Sequence, residues 1–301
     1  MIGLINVRRG ISLRSKTGGN LNKQNTNILI NNLVLIWAML SAYFAFTDLQ
    51  ISISVVNQNS GWANFLWSFG EIPGLLVLYA GAVIFIASYK SGSKFKYYSF
   101  IIFIFLVAVY LSRRMSLTIY IEVTDNYDFV TQYKWYIYLI FFLLNWFLYI
   151  RLKKLNYSDK LKTFSKVSIL LGLFGYLMLV QPIKQLWGRV RFKDLDALYS
   201  NFTPWFLPNG INGNQSFPSG HAAMGWMILP LLILVQTKNV YMKTIVLMII
   251  MSWGITLALS RVIIGAHYAS DILFGSYIVI ILFLLLIKYS TDYFTPSQKS
   301  E

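Results

Sequence analysis

A chain of 301 residues that is 56% hydrophobic and only 12% charged, with a mean hydropathy of +0.57, cannot keep most of its surface in water. That excludes a soluble enzyme, a disordered tail and a secreted disulfide scaffold, and the lack of Cys removes thiolate metal sites and Cys nucleophiles too. An excess of 26 Lys and Arg over 11 Asp and Glu would suggest nucleic acid in a soluble protein; in a membrane chain it reads as basic loops on one side.

Cutting the sequence at its polar interruptions leaves eight apolar runs near the roughly 20 residues that a membrane-crossing helix requires. They are 28–47, 72–89, 97–111, 135–150, 167–183, 219–236, 243–260 and 268–287. The first follows a basic stretch but lacks a small-x-small exit site, so it is expected to be kept as a span rather than cleaved. With eight spans, eighteen of the 26 Lys and Arg fall on the side of the N-terminus, among them Arg151, Lys153, Lys154, Lys160, Lys162 and Lys166. The positive-inside rule then places both termini in the cytoplasm and accounts for the basic excess without nucleic acid.

The longer outer loops are expected at 48–71, 112–134 and 184–218. In the first, Trp62, Phe65, Leu66 and Phe69 stand at i, i+3, i+4 and i+7, the pattern of a helix lying flat at the interface, where an aromatic belt is an ordinary feature. No fixed-period repeat is present.

The chain has two His. A His in a membrane helix is often simply packed and hydrogen-bonded, but these two occupy special places. His221 ends Phe217-Pro218-Ser219-Gly220-His221, a turn that feeds the sixth span, and His267 lies in the turn between the seventh and eighth. Topology brings both turns to the outer surface. His267 and Asp271, at i and i+4, share a helical face, so the carboxylate can fix the imidazole tautomer and leave the other nitrogen as nucleophile or base. A purely structural buried pair has the same spacing.

Lys184 and Arg191 flank the end of the fifth span, and Arg261 lies beside the second turn. Each could snorkel to the headgroups, yet together they bracket both His turns and favour an anion, phosphate above all. Backbone N–H groups after Pro218, at a helix N-terminus, add donors. Without paired carboxylates or a His-x-x-x-His helix, no metal or other cofactor is expected.

These residues resemble the three signature blocks of the type 2 phosphatidic acid phosphatase family, which also includes bacterial acid phosphatases and vanadium haloperoxidases. Lys184 and Arg191 have the spacing of the first block, with Phe192 where Pro is usual; Pro218 to His221 match the second; Ser260, Arg261, His267 and Asp271 match the third. The resemblance implies that His267 attacks phosphorus and Asp271 orients it, while His221 serves as acid and then base. It also implies that Lys184, Arg191, Ser219, Gly220 and Arg261 hold the phosphate oxygens, Gly220 because a Cβ would crowd the approach. Arg189, two residues earlier, could substitute for Arg191 or assist it. The family's six-span core divides the chain into a basic N-terminus 1–27, two additional helices 28–96, a core 97–288 and a tail 289–301.

The expected fold is therefore an all-α polytopic membrane bundle. The expected activity is metal-independent hydrolysis of a lipid phosphate or diphosphate through a phosphohistidine, at the outer face of the cell membrane. The partners are the bilayer and the lipid substrate, not nucleic acid, and nothing in the sequence bears on oligomeric state. Two alternatives stand beside it: transfer of the phosphoryl or headgroup to an acceptor alcohol, and a phospholipid transporter or binding protein without turnover, against which the missing repeat symmetry counts.

Overall fold

A computed structural model describes residues 7–89, 94–235 and 239–290. Of the expected end segments, residues 1–6 and 291–301 lie outside the described residues. The helices are α1 (Val7–Val55), α2 (Gly61–Phe69), α3 (Ile72–Ser88), α4 (Lys94–Thr124), α5 (Tyr127–Gln132), α6 (Lys134–Leu152), α7 (Asp159–Leu170), α8 (Gln181–Trp187), α9 (Gly220–Trp226), α10 (Val240–Ile263) and α11 (Ala269–Ser290). A π-helical stretch, Leu171–Val180, joins α7 to α8, and among the described residues there is no strand. The expected all-α polytopic bundle is the architecture observed.

Among the described residues, seven helical stretches are long and apolar enough to cross a membrane, one fewer than expected. The exception is 219–236, which is the short α9 followed by a 3-10 turn, Leu229–Ile233. Pro230 has no N–H to give the Trp226 carbonyl four residues earlier, so the α-helical ladder stops at Trp226. Two expected loops are largely helical. α1 runs on through Val55 and buries Asp48, and α4 continues from the apolar run through Arg113 and Arg114 to Thr124. Both arginines have partners that make this affordable: Arg113 lies 4.2 Å over the Tyr138 ring and Arg114 pairs with Glu71.

The chain direction alternates, so one end of the bundle collects the ends of α1, α4, α8 and α10 with the starts of α3, α9 and α11. Arg151, Lys153 and Lys154, at the end of α6, belong to the opposite end. Within the bundle α3 packs on α4 and α7, α1 on α11, and α9 is held between α10 and α11. The core there is Leu75, Leu78, Val167, Leu171, Met224, Met227 and Val279. Tyr79, Asn145 and Ser112 join α3, α6 and α4 by hydrogen bonds of 3.1 and 2.9 Å, a polar clasp between helices whose outer faces are apolar and exposed.

Two glycines let the elements of the collecting end approach. A Cβ on Gly275 of α11 would lie 2.3 Å from the Ser219 carbonyl oxygen, so only glycine allows α11 to pass the start of α9. Gly265 has φ +70°, the left-handed conformation that ends α10 and turns the chain to His267.

Candidate active site

The turn after α10 is closed by the Arg261 carbonyl, which accepts from the N–H groups of Ala266 (3.0 Å) and His267 (3.1 Å). Arg261 and His267 are thereby fixed to each other. A second backbone bond, Ser219 N–H to the Asp271 carbonyl at 2.9 Å, ties the turn that carries His221 to the helix that carries Asp271. A third, Lys193 N–H to the Gly265 carbonyl at 3.0 Å, brings in the segment that carries Arg191. Sequence-distant blocks are thus assembled by main chain, which is insensitive to the side chains around it.

His267 is buried, with Nδ1 3.5 Å from Asp271 Oδ2 and no closer partner. Burial pushes it down to about 3, an effect that the neighbouring Lys184 and Arg261 reinforce and Asp271 opposes. Neutral imidazole is the form a nucleophile needs. Asp271 is held from several sides: Oδ1 accepts from Arg189 Nη1 at 2.6 Å, and Oδ2 accepts from the Tyr268 N–H at 3.0 Å and from the Ser216 hydroxyl.

Among the described residues, Arg189 is the largest fully buried side chain. Besides Asp271 it donates to Asp48 Oδ2 (2.9 Å), Ser270 Oγ (2.8 Å) and the Thr203 carbonyl (2.8 Å), and its guanidinium lies 4.0 Å from the Tyr268 ring centre. Asp48 in turn accepts from the Ser270 N–H at 2.9 Å and from its hydroxyl. Arg189 therefore directs its donors to two carboxylates, the Ser270 hydroxyl and main chain, and neither replaces nor assists Arg191 as a phosphate ligand.

His221 begins α9, half-buried, its Nδ1 3.3 Å from Glu71 Oε1. Glu71 sits at the corner between α2 and α3, and its Oε2 accepts from Arg114 Nη2 at 2.5 Å. Lys184 and Arg261 are the charged neighbours common to His221 and His267, and Arg191 is a neighbour of both cations. The sequence-derived residues Lys184, Arg191, Ser219, Gly220, His221, Arg261, His267 and Asp271 are therefore gathered in one hollow.

Inside it, Arg261 is buried on the Trp67 ring, 4.5 Å from its centre, yet Nε and Nη1 have no hydrogen-bond partner. Buried guanidinium donors left unpaired are costly, and an anion would satisfy them. Ser219 Oγ caps α9 by accepting from the Ala222 N–H at 3.3 Å. A Cβ on Gly220 would meet Tyr176 Oη at 3.5 Å and Lys184 Nζ at 3.7 Å, so the space it would take is the hollow itself.

Phe192 follows Arg191 in a short 3-10 turn, Phe192–Asp194, its ring stacked on Tyr199 and edge-on to Tyr268. The sequence reading missed Asp48, Glu71 and Arg114, which stand outside any motif; one signal was available, namely that an acid at the edge of an apolar run needs a partner.

Alongside the hollow, between α3, α4 and the π-helical stretch, lies a cavity of about 590 Å³. Leu75, Leu78, Leu111, Ile169, Leu173 and Met224 line it, and Arg114, Tyr176, Gln181 and Gln185 stand at the end nearer the imidazoles.

Compared with known proteins, residues 165–294 match the family model described as the PAP2 superfamily. No curated protein and no solved structure matches the chain.

Proposed function

We propose that this chain, whose residues 165–294 match the PAP2 superfamily model, hydrolyses a lipid phosphate or lipid diphosphate through a phosphohistidine on His267. The observation that carries this reading is the buried Arg261 guanidinium with two unpaired groups, beside Lys184 and Arg191, where Arg261 and Lys184 are the charged neighbours of both imidazoles. Charge supports it too. Five cations (Arg114, Lys184, Arg189, Arg191, Arg261) against three carboxylates (Asp48, Glu71, Asp271) leave an excess of positive charge, to which the proton that His221 must carry adds, and this excess favours an anionic phosphate.

In the first step His267 Nε2 attacks phosphorus, the P–O bond to the lipid breaks, and the leaving oxygen takes a proton from His221. The imidazolium character that develops on His267 is balanced by the Asp271, Asp48 and Arg189 cluster, which carries one net negative charge. In the second step His221, now neutral, takes a proton from water, the oxygen attacks phosphorus, and the P–N bond breaks. Lys184, Arg191 and Arg261 with the Gly220 N–H neutralise the oxygens throughout, fixed before the reaction begins.

The apolar cavity beside the hollow supports a lipid as the group esterified, since its chain side accepts hydrocarbon and its polar end meets the phosphate. Because the hollow is at the end away from Arg151, Lys153 and Lys154, the positive-inside rule puts it at the outer face, with the substrate in the outer leaflet. A second reading, transfer to an acceptor alcohol, is favoured by a polar cavity of about 350 Å³ lined by Gln58, Asn64, Trp67, Ser68, Glu122 and Lys193, on a ring that Arg261 also touches.

The test is phosphate release by the purified protein, with chelator present, from a panel of lipid phosphates, lipid diphosphates and water-soluble esters, with acceptor alcohols added in a parallel set. Release from a lipid ester is expected. Activity confined to soluble esters would overturn the lipid assignment, and a phosphorylated acceptor in place of free phosphate would favour transfer.

A further inference from the structure

Each imidazole of the hollow is backed by a carboxylate whose other oxygen is held by a guanidinium. Behind His267, Asp271 Oδ2 is 3.5 Å from Nδ1 and Oδ1 is 2.6 Å from Arg189. Behind His221, Glu71 Oε1 is 3.3 Å from Nδ1 and Oε2 is 2.5 Å from Arg114. The first set lies wholly within the segment that matches the family model; in the second, Glu71 and Arg114 lie outside it.

We propose that Glu71, itself fixed by Arg114, is the positioning residue of His221 and does for the acid–base imidazole what Asp271 does for the nucleophile. This rests on the hydrolase reading above. Three features of the structure support it. Glu71 stands where α2 ends and α3 begins, so main chain rather than a flexible side chain sets its place. Its carboxylate is divided between two partners, whereas an acid present only to neutralise Arg114 would turn both oxygens to the guanidinium, the bidentate pairing that arginine favours. Burial disfavours a proton on His221, as do Arg261 and Lys184, while the Glu71 carboxylate, together with the Trp67 main chain, opposes them.

The chemistry follows. A carboxylate on Nδ1–H fixes the tautomer and leaves Nε2 to carry the transferred proton. When the P–O bond to the lipid breaks, Nε2–H passes its proton to the alkoxide while Nδ1–H stays on Glu71. In the return step Nε2 takes the proton from water as the P–N bond breaks, and no proton is left on the carboxylate.

The experiment is single-turnover formation of the phosphoenzyme by Glu71→Gln and by the natural protein, with two phosphates of equal chain length: an alkyl phosphate, whose alkoxide must be protonated to leave, and an alkyl-substituted nitrophenyl phosphate, whose phenolate need not be. The Gln variant is expected to slow the alkyl reaction by about 10- to 100-fold and the nitrophenyl reaction by less than about 3-fold. Glu71→Asp, which keeps the charge but withdraws it from the ring, should recover part of the alkyl rate and remain slower than the natural protein. Equal slowing of both substrates, or an unchanged alkyl rate, would overturn the proposal. If Glu71→Gln does not fold, the same comparison with Glu71→Asp decides it, since a withdrawn carboxylate should still slow the alkyl substrate selectively. Failure of the natural protein to form any phosphoenzyme would instead overturn the hydrolase reading.

Discussion

Arg189 Nη2 lies 2.9 Å from Asp48 Oδ2, across 141 positions of sequence, with both side chains removed from water. α1 is therefore joined to the residues around His267 and is no detachable anchor: the carboxylate it brings shares one guanidinium with Asp271. Losing a member of a buried ionic cluster leaves the others uncompensated, typically at about 3–5 kcal/mol. Asp48→Ala, which also strips two hydrogen bonds from Ser270, should destabilise the protein by about 3 kcal/mol. Denaturation in detergent reads this directly, and a change below about 1 kcal/mol, the size of an exposed ion pair, would remove Asp48 from the cluster's energetics.

Arg261 should behave in the opposite way. Its unpaired buried groups cost stability in the absence of an anion, so Arg261→Met should leave the unfolding temperature unchanged or raise it. Turnover should fall by about 100- to 1,000-fold, the usual loss when a fixed donor to developing negative charge is removed. Inhibition by inorganic phosphate should weaken in parallel. A variant that unfolds readily while keeping turnover would contradict both halves.

His267 makes stability depend on pH with a definite sign. Its folded value, about 3, lies below the ordinary 6.5, so between these the unfolded chain binds a proton that the folded chain does not. Its contribution to stability is complete above about pH 6.5 and is lost as pH falls toward 3, with a limiting slope of about 1.4 kcal/mol per pH unit. His267→Gln should flatten the stability profile in that window. An identical slope in both proteins would mean that the ring is not held neutral.

Phe192 in place of Pro should matter little to catalysis. Arg191 already has φ −76° and ψ 152°, the extended backbone that a residue preceding Pro adopts. Phe192→Pro should keep turnover within about threefold, with a modest stability loss from the ring contacts to Tyr199 and Tyr268. Loss of activity on that substitution would show that Arg191 depends on the aromatic ring for its pose.

The eight residues of the phosphate hollow were legible because fixed spacing within the turns carries them: Lys184 to Arg191, Ser219 to His221, and Arg261 to Asp271. Asp48, Glu71 and Arg114 were not. Each is a charge at the border of an apolar run, and the packing of α1 on α11 and of α3 on α4 gives it a partner. The same pairing explains the misread ends. A run cut at Arg113 and Arg114 continues as helix once a ring and a carboxylate receive the two arginines. The broken helix after His221 hid behind its composition, since hydropathy does not register the N–H that Pro230 lacks.

The central claim is a covalent bond between phosphorus and His267, and its most direct test is rapid acid-free quenching of the protein with a ³²P-labelled lipid phosphate, followed by peptide mapping. The expected result is an acid-labile, base-stable label on the peptide containing His267, absent from His267→Ala, which should also release no phosphate. Phosphate release without any such label, or a His267→Ala variant that still turns over, would contradict it.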